Sequence, residues 1–287
     1  DLRGNAGGLL TEATALTGLF IDEGPIVQLK DSSNKIEIID DPISGSIYKG
    51  PLAVMVDRFS ASASEIFAGA IQDYSRGIVV GQQTFGKGTV QSIYPLDRFS
   101  RFKSKKGFGQ LTLTIGKFYR VSGSGTQNRG VVPDIELPSF INKDRFGEET
   151  KKNTLPWDRI TTLEYDTDSS LDKSIVLLQE EYSKRSENNL PLKFLQEDID
   201  SINIQNQNTR LSLNLDIRKN EREQKKIANQ ERRTKRLEQL GYSANEDFDD
   251  FASKTLLNEV LSMMVDLIDY NDQKPVDSEL NQPFGHS

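Results

Sequence analysis

The sequence has no cysteine, and its single histidine, His286, stands next to the end of 287 residues. Without cysteine there is no thiol nucleophile and no disulfide, and one histidine cannot furnish a zinc site or an HExxH helix. A serine hydrolase with a histidine base would have to recruit it from a chain end, where order is least expected. Acid–base chemistry near neutral pH is therefore left to Lys, Asp, Glu or Tyr, and no metal or cofactor is expected. No apolar run approaches the roughly 20 residues that span a bilayer. The chain opens on Asp1 rather than Met, and Asp1-Leu2-Arg3 reads as the end of a strand whose beginning is missing, so a fragment or processed piece is expected.

The length suits about two domains, and composition divides the chain. Nineteen of the 21 glycines fall in residues 1–150, where 17 Lys and Arg balance 17 Asp and Glu; residues 151–287 carry 19 against 26, hence the whole net charge of −7. Glycine-punctuated, β-branched sequence followed by Leu/Glu/Lys/Gln-rich sequence predicts an α/β core followed by a mostly α-helical domain. The expected division is 1–140 for the core, 141–160 for a linker and 161–287 for the helical part.

Within the core, Leu9 to Phe20 has helical apolar spacing directly after Gly7-Gly8. Residues 26–29 and 35–39 flank a polar turn as a hairpin. Leu52 to Val56 is a continuous apolar run suited to a buried parallel strand, Ser62 to Tyr74 is helical, and Gly77 to Gly81 is a second buried strand. Strand, helix and strand in so short a stretch make a right-handed βαβ crossover. Gln110 to Arg120 alternates as a half-exposed antiparallel strand. Beyond it, Leu155-Pro156-Trp157 reads as a docking anchor, residues 171–186, 191–202, 211–240 and 247–270 read as helices, and Gly241 as a C-terminal cap.

Two segments carry chemistry. Asp57 to Glu65 (DRFSASASE) joins the first buried strand to the helix, so its serines stand at the carboxyl end of a sheet, beside free helix N–H groups that suit an oxyanion. Ser62-Ala63-Ser64-Glu65 also fits a capping box, in which Ser62 merely caps the helix and Glu65 returns the bond. Thr84 to Gln91 (TFGKGTVQ) places Lys87 between two glycines, where backbone approach can enclose the amine and burial favours its neutral form. It is not a phosphate loop, because Gly88 follows Lys87 and strand-like sequence follows in place of a helix. Lys87 alone also fits an exposed hairpin lysine. Together, and with histidine excluded, Ser62 and Lys87 supply the nucleophile and base of a Ser–Lys hydrolase. The N–H of Ala63, and the glycines Gly7 and Gly8 before another helix, offer oxyanion donors.

These residues resemble the C-terminal processing peptidases, the tail-specific family of Ser–Lys serine endopeptidases. The resemblance rests on Asp1-Leu2-Arg3 with Gly7-Gly8, on SASASE from Ser60 to Glu65, on TFGKGTVQ from Thr84, and on Phe118-Tyr119-Arg120 and Gly130 to Asp134. It implies a crotonase/ClpP-like core, Ser62 as nucleophile and Lys87 as general base. It further implies Gln91 positioning Lys87, Gly8 and Ala63 forming the oxyanion hole, and Asp73 as a supporting polar residue near the site. Expected partners are protein substrates with apolar C-terminal tails and a lipoprotein adaptor, in the periplasm or peripheral to the inner membrane. The family places a PDZ domain before this core; a piece without it is expected to be weakly active. A rival reading is a scaffold using the basic helix 216–240, where nine Lys and Arg face five Asp and Glu. Charge-rich helices are usually solvated faces, and without interleaved aromatics nucleic acid is not expected.

Overall fold

The computed structural model describes residues 1–41, 43–102, 106–167, 170–243 and 250–273, so His286 and the start of the helix expected from 247 lie outside the described residues. In chain order the elements are α1 (Leu10–Gly18), β1 (Pro25–Asp31), β2 (Ile36–Asp40), β3 (Ala53–Val56), α2 (Ala63–Asp73), β4 (Ile78–Gly81), β5 (Thr89–Pro95), β6 (Gln110–Tyr119), β7 (Ile135–Glu136), α3 (Ser170–Ser186), α4 (Leu190–Gln207), α5 (Leu215–Gln239) and α6 (Phe251–Gln273).

The expected βαβ unit is formed: β3 and β4 pair in parallel, and β7 joins the other edge of β4, giving the order β3-β4-β7. Every residue of β4 is buried, which explains its unbroken apolar run. One face of this sheet, through Val54, Val56 and Val79, packs on Phe67, Ala68 and Ile71 of α2. The other, through Met55, Ile78, Val80, Ile135 and Leu137, packs on Leu178 of α3 and on Val260, Met263 and Leu267 of α6. The helical region is thus the second cover of the sheet, and the core has an α/β/α layering.

A second, antiparallel sheet runs β2-β1-β6-β5. Its inner residues Ile26, Val27 and Phe118 close on Ile66 and Ala70, so α2 is buried between both sheets. The first six residues of β6 are exposed and the last two are buried, so the β5–β6 hairpin leaves the core as an arm.

Residues 141–160, the expected linker, are mostly exposed and are tied to the core at a few points. They hold a 3-10 turn over Glu148–Thr150, and Arg159 bridges to Ser124. Trp157 is the anchor its position suggests: Nε1 donates to the Gly125 carbonyl at 2.8 Å and the Arg129 guanidinium lies 3.6 Å from the ring centroid. The long helix α5 is solvated along most of its length and is tied to α4 where Arg236 reaches Asp198 and Glu197 at 2.6 and 2.9 Å. Gly241 caps it at φ +73, with the Tyr242 N–H on the Leu237 carbonyl at 2.9 Å. Among the described residues no helix is long and apolar enough to cross a membrane.

Candidate active site

The junction after β3 is a strained turn. Ser62 has φ 58 and ψ −116, a conformation that residues with a side chain rarely adopt and that lifts it out of the strand-to-helix path. Glu65 explains how the turn is held. Its carboxylate, wholly buried, accepts the Ser62 N–H at 2.7 Å, the returning arm of a capping box. The same carboxylate then goes beyond capping: it accepts the Lys87 N–H at 2.9 Å, and the Gly86 N–H and Thr84 hydroxyl at 2.6 Å each. Glu65 therefore stitches the serine junction to the lysine loop. Burial pushes its carboxyl up to about 7 despite the four hydrogen bonds, which pull the other way.

The glycines flanking Lys87 serve the close approach their sequence suggests. A Cβ at Gly86 (φ +90) would fall 2.8 Å from the Asn128 carbonyl carbon, and one at Gly88 would fall 2.5 Å from the Gln127 nitrogen. The Asn128 N–H reaches the Gly86 carbonyl at 2.8 Å, and the Gly88 N–H reaches Gln127 Oε1 at 2.9 Å. Lys87 is half-buried, and among the described residues no carboxylate lies within ion-pairing distance of its amine.

Residues 1–8 are draped over the same junction. Leu2 donates to the Met55 carbonyl at 2.8 Å, the Ala61 N–H reaches the Asn5 carbonyl at 3.0 Å, and Ser64 Oγ donates to Asn5 at 3.0 Å. Gly7, at φ +91, is wedged so tightly that a Cβ would meet the Ala61 carbonyl oxygen at 2.5 Å and the Ala63 nitrogen at 2.8 Å. Gly8 follows, where a Cβ would meet nothing within 4 Å, and Ala63 opens α2, where the first-turn N–H groups have no partner within the helix.

Two expected residues are placed elsewhere. Asp73 ends α2, roughly 16 Å along the helix from Ser62 at 1.5 Å per residue, so it is not beside the site. It forms a bidentate pair with Arg120 at 2.5 and 3.0 Å and accepts from Ser122 Oγ at 3.3 Å, which ties the end of β6 to α2. Gln91 is exposed on β5 at a register shift, and among the described residues no hydrogen bond joins it to Lys87. Sequence reasoning missed the reach of Glu65, whose capping role concealed three further bonds, and missed Arg58, buried behind the junction. Among the described residues no group of His, Cys, Asp and Glu could hold a metal ion.

The sequence has relatives. Residues 1–137 match the model of peptidase family S41, and residues 141–269 match that of the C-terminal domain of tail specific protease. Residues 1–137 belong to peptidase family S41. The chain is 38% identical over 301 aligned positions to the tail-specific protease of Haemophilus influenzae, an alignment covering 100% of this chain and 42% of that protein. It is also 40% identical to the carboxy-terminal-processing protease of Bartonella bacilliformis, over 47% of this chain and 29% of that one. The solved photosystem II D1 C-terminal processing protease is 33% identical, with a TM-score of 0.42, over 52% of this chain and 36% of that one. The chain thus spans less than half the length of these relatives. The serine junction and the lysine loop lie in the S41 part, while the packed segment behind them, residues 146–151, lies in the C-terminal domain part.

Proposed function

We propose that this chain carries the Ser–Lys centre of a serine endopeptidase that cleaves proteins selected by their C-terminal tails. The observation that carries the reading is the shared carboxylate: Ser62 and Lys87, far apart in sequence, are held within two hydrogen bonds of each other by Glu65 Oε2. In this mechanism neutral Lys87 takes the Ser62 proton, and Ser62 Oγ attacks the peptide carbonyl. The N–H groups of Gly8 and Ala63 hold the oxyanion, Lys87 returns the proton to the leaving amine, and water then resolves the acyl-enzyme. Gln91, four residues after Lys87 and without a hydrogen bond to it among the described residues, would have to turn toward the lysine when substrate binds in order to position it.

The relatives' names, tail-specific protease and carboxy-terminal-processing protease, support action at C-terminal tails; the wider proposal is processing or degradation of envelope proteins with apolar tails, in the periplasm or peripheral to the inner membrane, with delivery by a lipoprotein adaptor. The basic helix supports a scaffold less well, because α5 faces solvent and Arg236, among its most buried cations, is spent on α4. The deciding experiment incubates the full-length protein with an unfolded substrate bearing an apolar tail. Ser62→Ala and Lys87→Ala should each abolish cleavage while circular dichroism stays unchanged. Cleavage retained by Lys87→Ala would sink the mechanism, and loss of the tail preference on blocking the tail's carboxylate would be its expected companion.

A further inference from the structure

The segment that leaves the S41 part turns back and grips the lysine loop from behind. Arg58, in the junction leading to Ser62, is 1% exposed. Its Nε donates to the Phe146 carbonyl at 2.7 Å, Nη1 donates to the Thr84 carbonyl at 2.5 Å, and Nη2 pairs with the Glu149 carboxylate. One buried cation therefore joins three stretches of chain: the junction before Ser62, the start of the loop that carries Lys87, and the 3-10 turn at Glu148–Thr150.

Other contacts run in parallel. The Glu148 N–H reaches the Phe85 carbonyl at 2.9 Å, and the Phe85 N–H reaches the Ser60 carbonyl at 2.9 Å. Phe59 meets Phe146 edge to face at 5.7 Å, and the Lys151 ammonium lies 4.7 Å from the Phe85 ring centroid. Gly147, at φ +133, leaves the space that the guanidinium fills, because a Cβ there would collide with Arg58 Nη2. A guanidinium removed from water is tolerable only while all of its arms are engaged. Removing the Glu149 charge would free Nη2 and let the whole group withdraw from the Thr84 carbonyl.

We propose that Arg58 and Glu149 are positioning residues whose ion pair latches the Thr84–Gly88 loop to residues 146–151, so that the C-terminal region sets where Lys87 stands relative to Ser62. The catalytic part of this inference rests on the Ser–Lys reading; the latch itself does not.

The test uses the full-length protein and Glu149→Gln, which keeps size and removes charge. Amide exchange at Gly86, Lys87 and Gly88 should accelerate about tenfold or more, the loss expected for a charged hydrogen bond. kcat on a tail-bearing peptide should fall by a similar factor with KM unchanged, and Glu149→Asp should recover part of both. Gly147→Ala should loosen the same amides by displacing the guanidinium. Unchanged exchange in Glu149→Gln overturns the latch, as does acceleration spread evenly over the chain, the mark of general destabilisation. Faster loop exchange with unchanged kcat overturns the positioning role. Lys87→Ala is assayed beside them: if it still cleaves, the Ser–Lys reading fails, while loop exchange continues to judge the latch.

Discussion

The main-chain N–H groups of Ser62 and Lys87 donate to one oxygen, Glu65 Oε2, at 2.7 and 2.9 Å. The proximity of the Ser62 and Lys87 backbones is therefore set by this carboxylate, independently of where either side chain points. Glu65→Gln keeps the shape but turns one acceptor into an amino group that must face N–H donors. It should cost about 1–3 kcal/mol, the penalty of an unsatisfied buried group, and should abolish cleavage. Urea denaturation and a peptide assay measure the two, and a wild-type urea midpoint with full activity would show that the carboxylate does not hold the site.

The same carboxyl gives stability a pH dependence. Burial raises it from 4.5 in the unfolded chain to about 7 in the fold, so between those values the folded state binds the extra proton. The contribution is fully present below pH 4.5 and is lost as pH rises through about 7, at most about 3 kcal/mol. Urea midpoints should fall from pH 5 to pH 8, and the fall should be smaller in Glu65→Gln. An equal slope in the variant would remove Glu65 as its source.

Two glycines at the start of the chain should answer differently to alanine. At Gly7 the new Cβ meets the Ala61 oxygen and the Ala63 nitrogen, whereas at Gly4, with φ +70, it meets nothing within 4 Å. Gly4→Ala should therefore cost only the backbone strain, about 1–2 kcal/mol, and spare activity. Gly7→Ala should lower kcat sharply, because the turn carrying Gly8 must shift off the Ser62 junction. Kinetics of the pair decide.

Asp73 is a stability residue. Its side chain is 6% exposed and that of Arg120 is 16% exposed, so Asp73→Ala strands a largely buried guanidinium. The expected loss is about 3–5 kcal/mol, read from thermal or urea unfolding, with kcat unchanged below the transition. A selective loss of kcat would return Asp73 to the active site.

How far the sequence discloses this molecule depends on the range of the signal. The βαβ unit is legible because β3, α2 and β4 are local and because β4, buried on both faces, is apolar throughout. The strand β6 is legible as a strand, but its burial runs from exposed to buried in place of the expected alternation because the β5–β6 hairpin leaves the core; Gly86 and Gly88 announce a close approach. What they approach, Gln127 and Asn128, is a long-range pairing with no local mark. Glu65 reads as a cap because capping is its local bond; the links to Thr84, Gly86 and Lys87 exist only after folding. Arg58 lies in a junction whose serines draw the attention, and its acceptors Phe146 and Glu149 come from the expected linker. Asp73, expected near the site through the resemblance alone, stands at the far end of α2 from Ser62. In each case the local chemistry was readable and the partner was not.

The cover provided by α6 also bears on how the chain is born. Val260, Met263 and Leu267 close a face of the β3-β4-β7 sheet whose strands leave the ribosome much earlier. Until α6 emerges, Met55, Ile78 and Val80 lack much of their apolar lining, so the peptidase half waits, unfinished and open to aggregation, for a helix encoded far downstream. Completion of the β3-β4-β7 sheet's second face is thereby tied to the synthesis of the C-terminal domain.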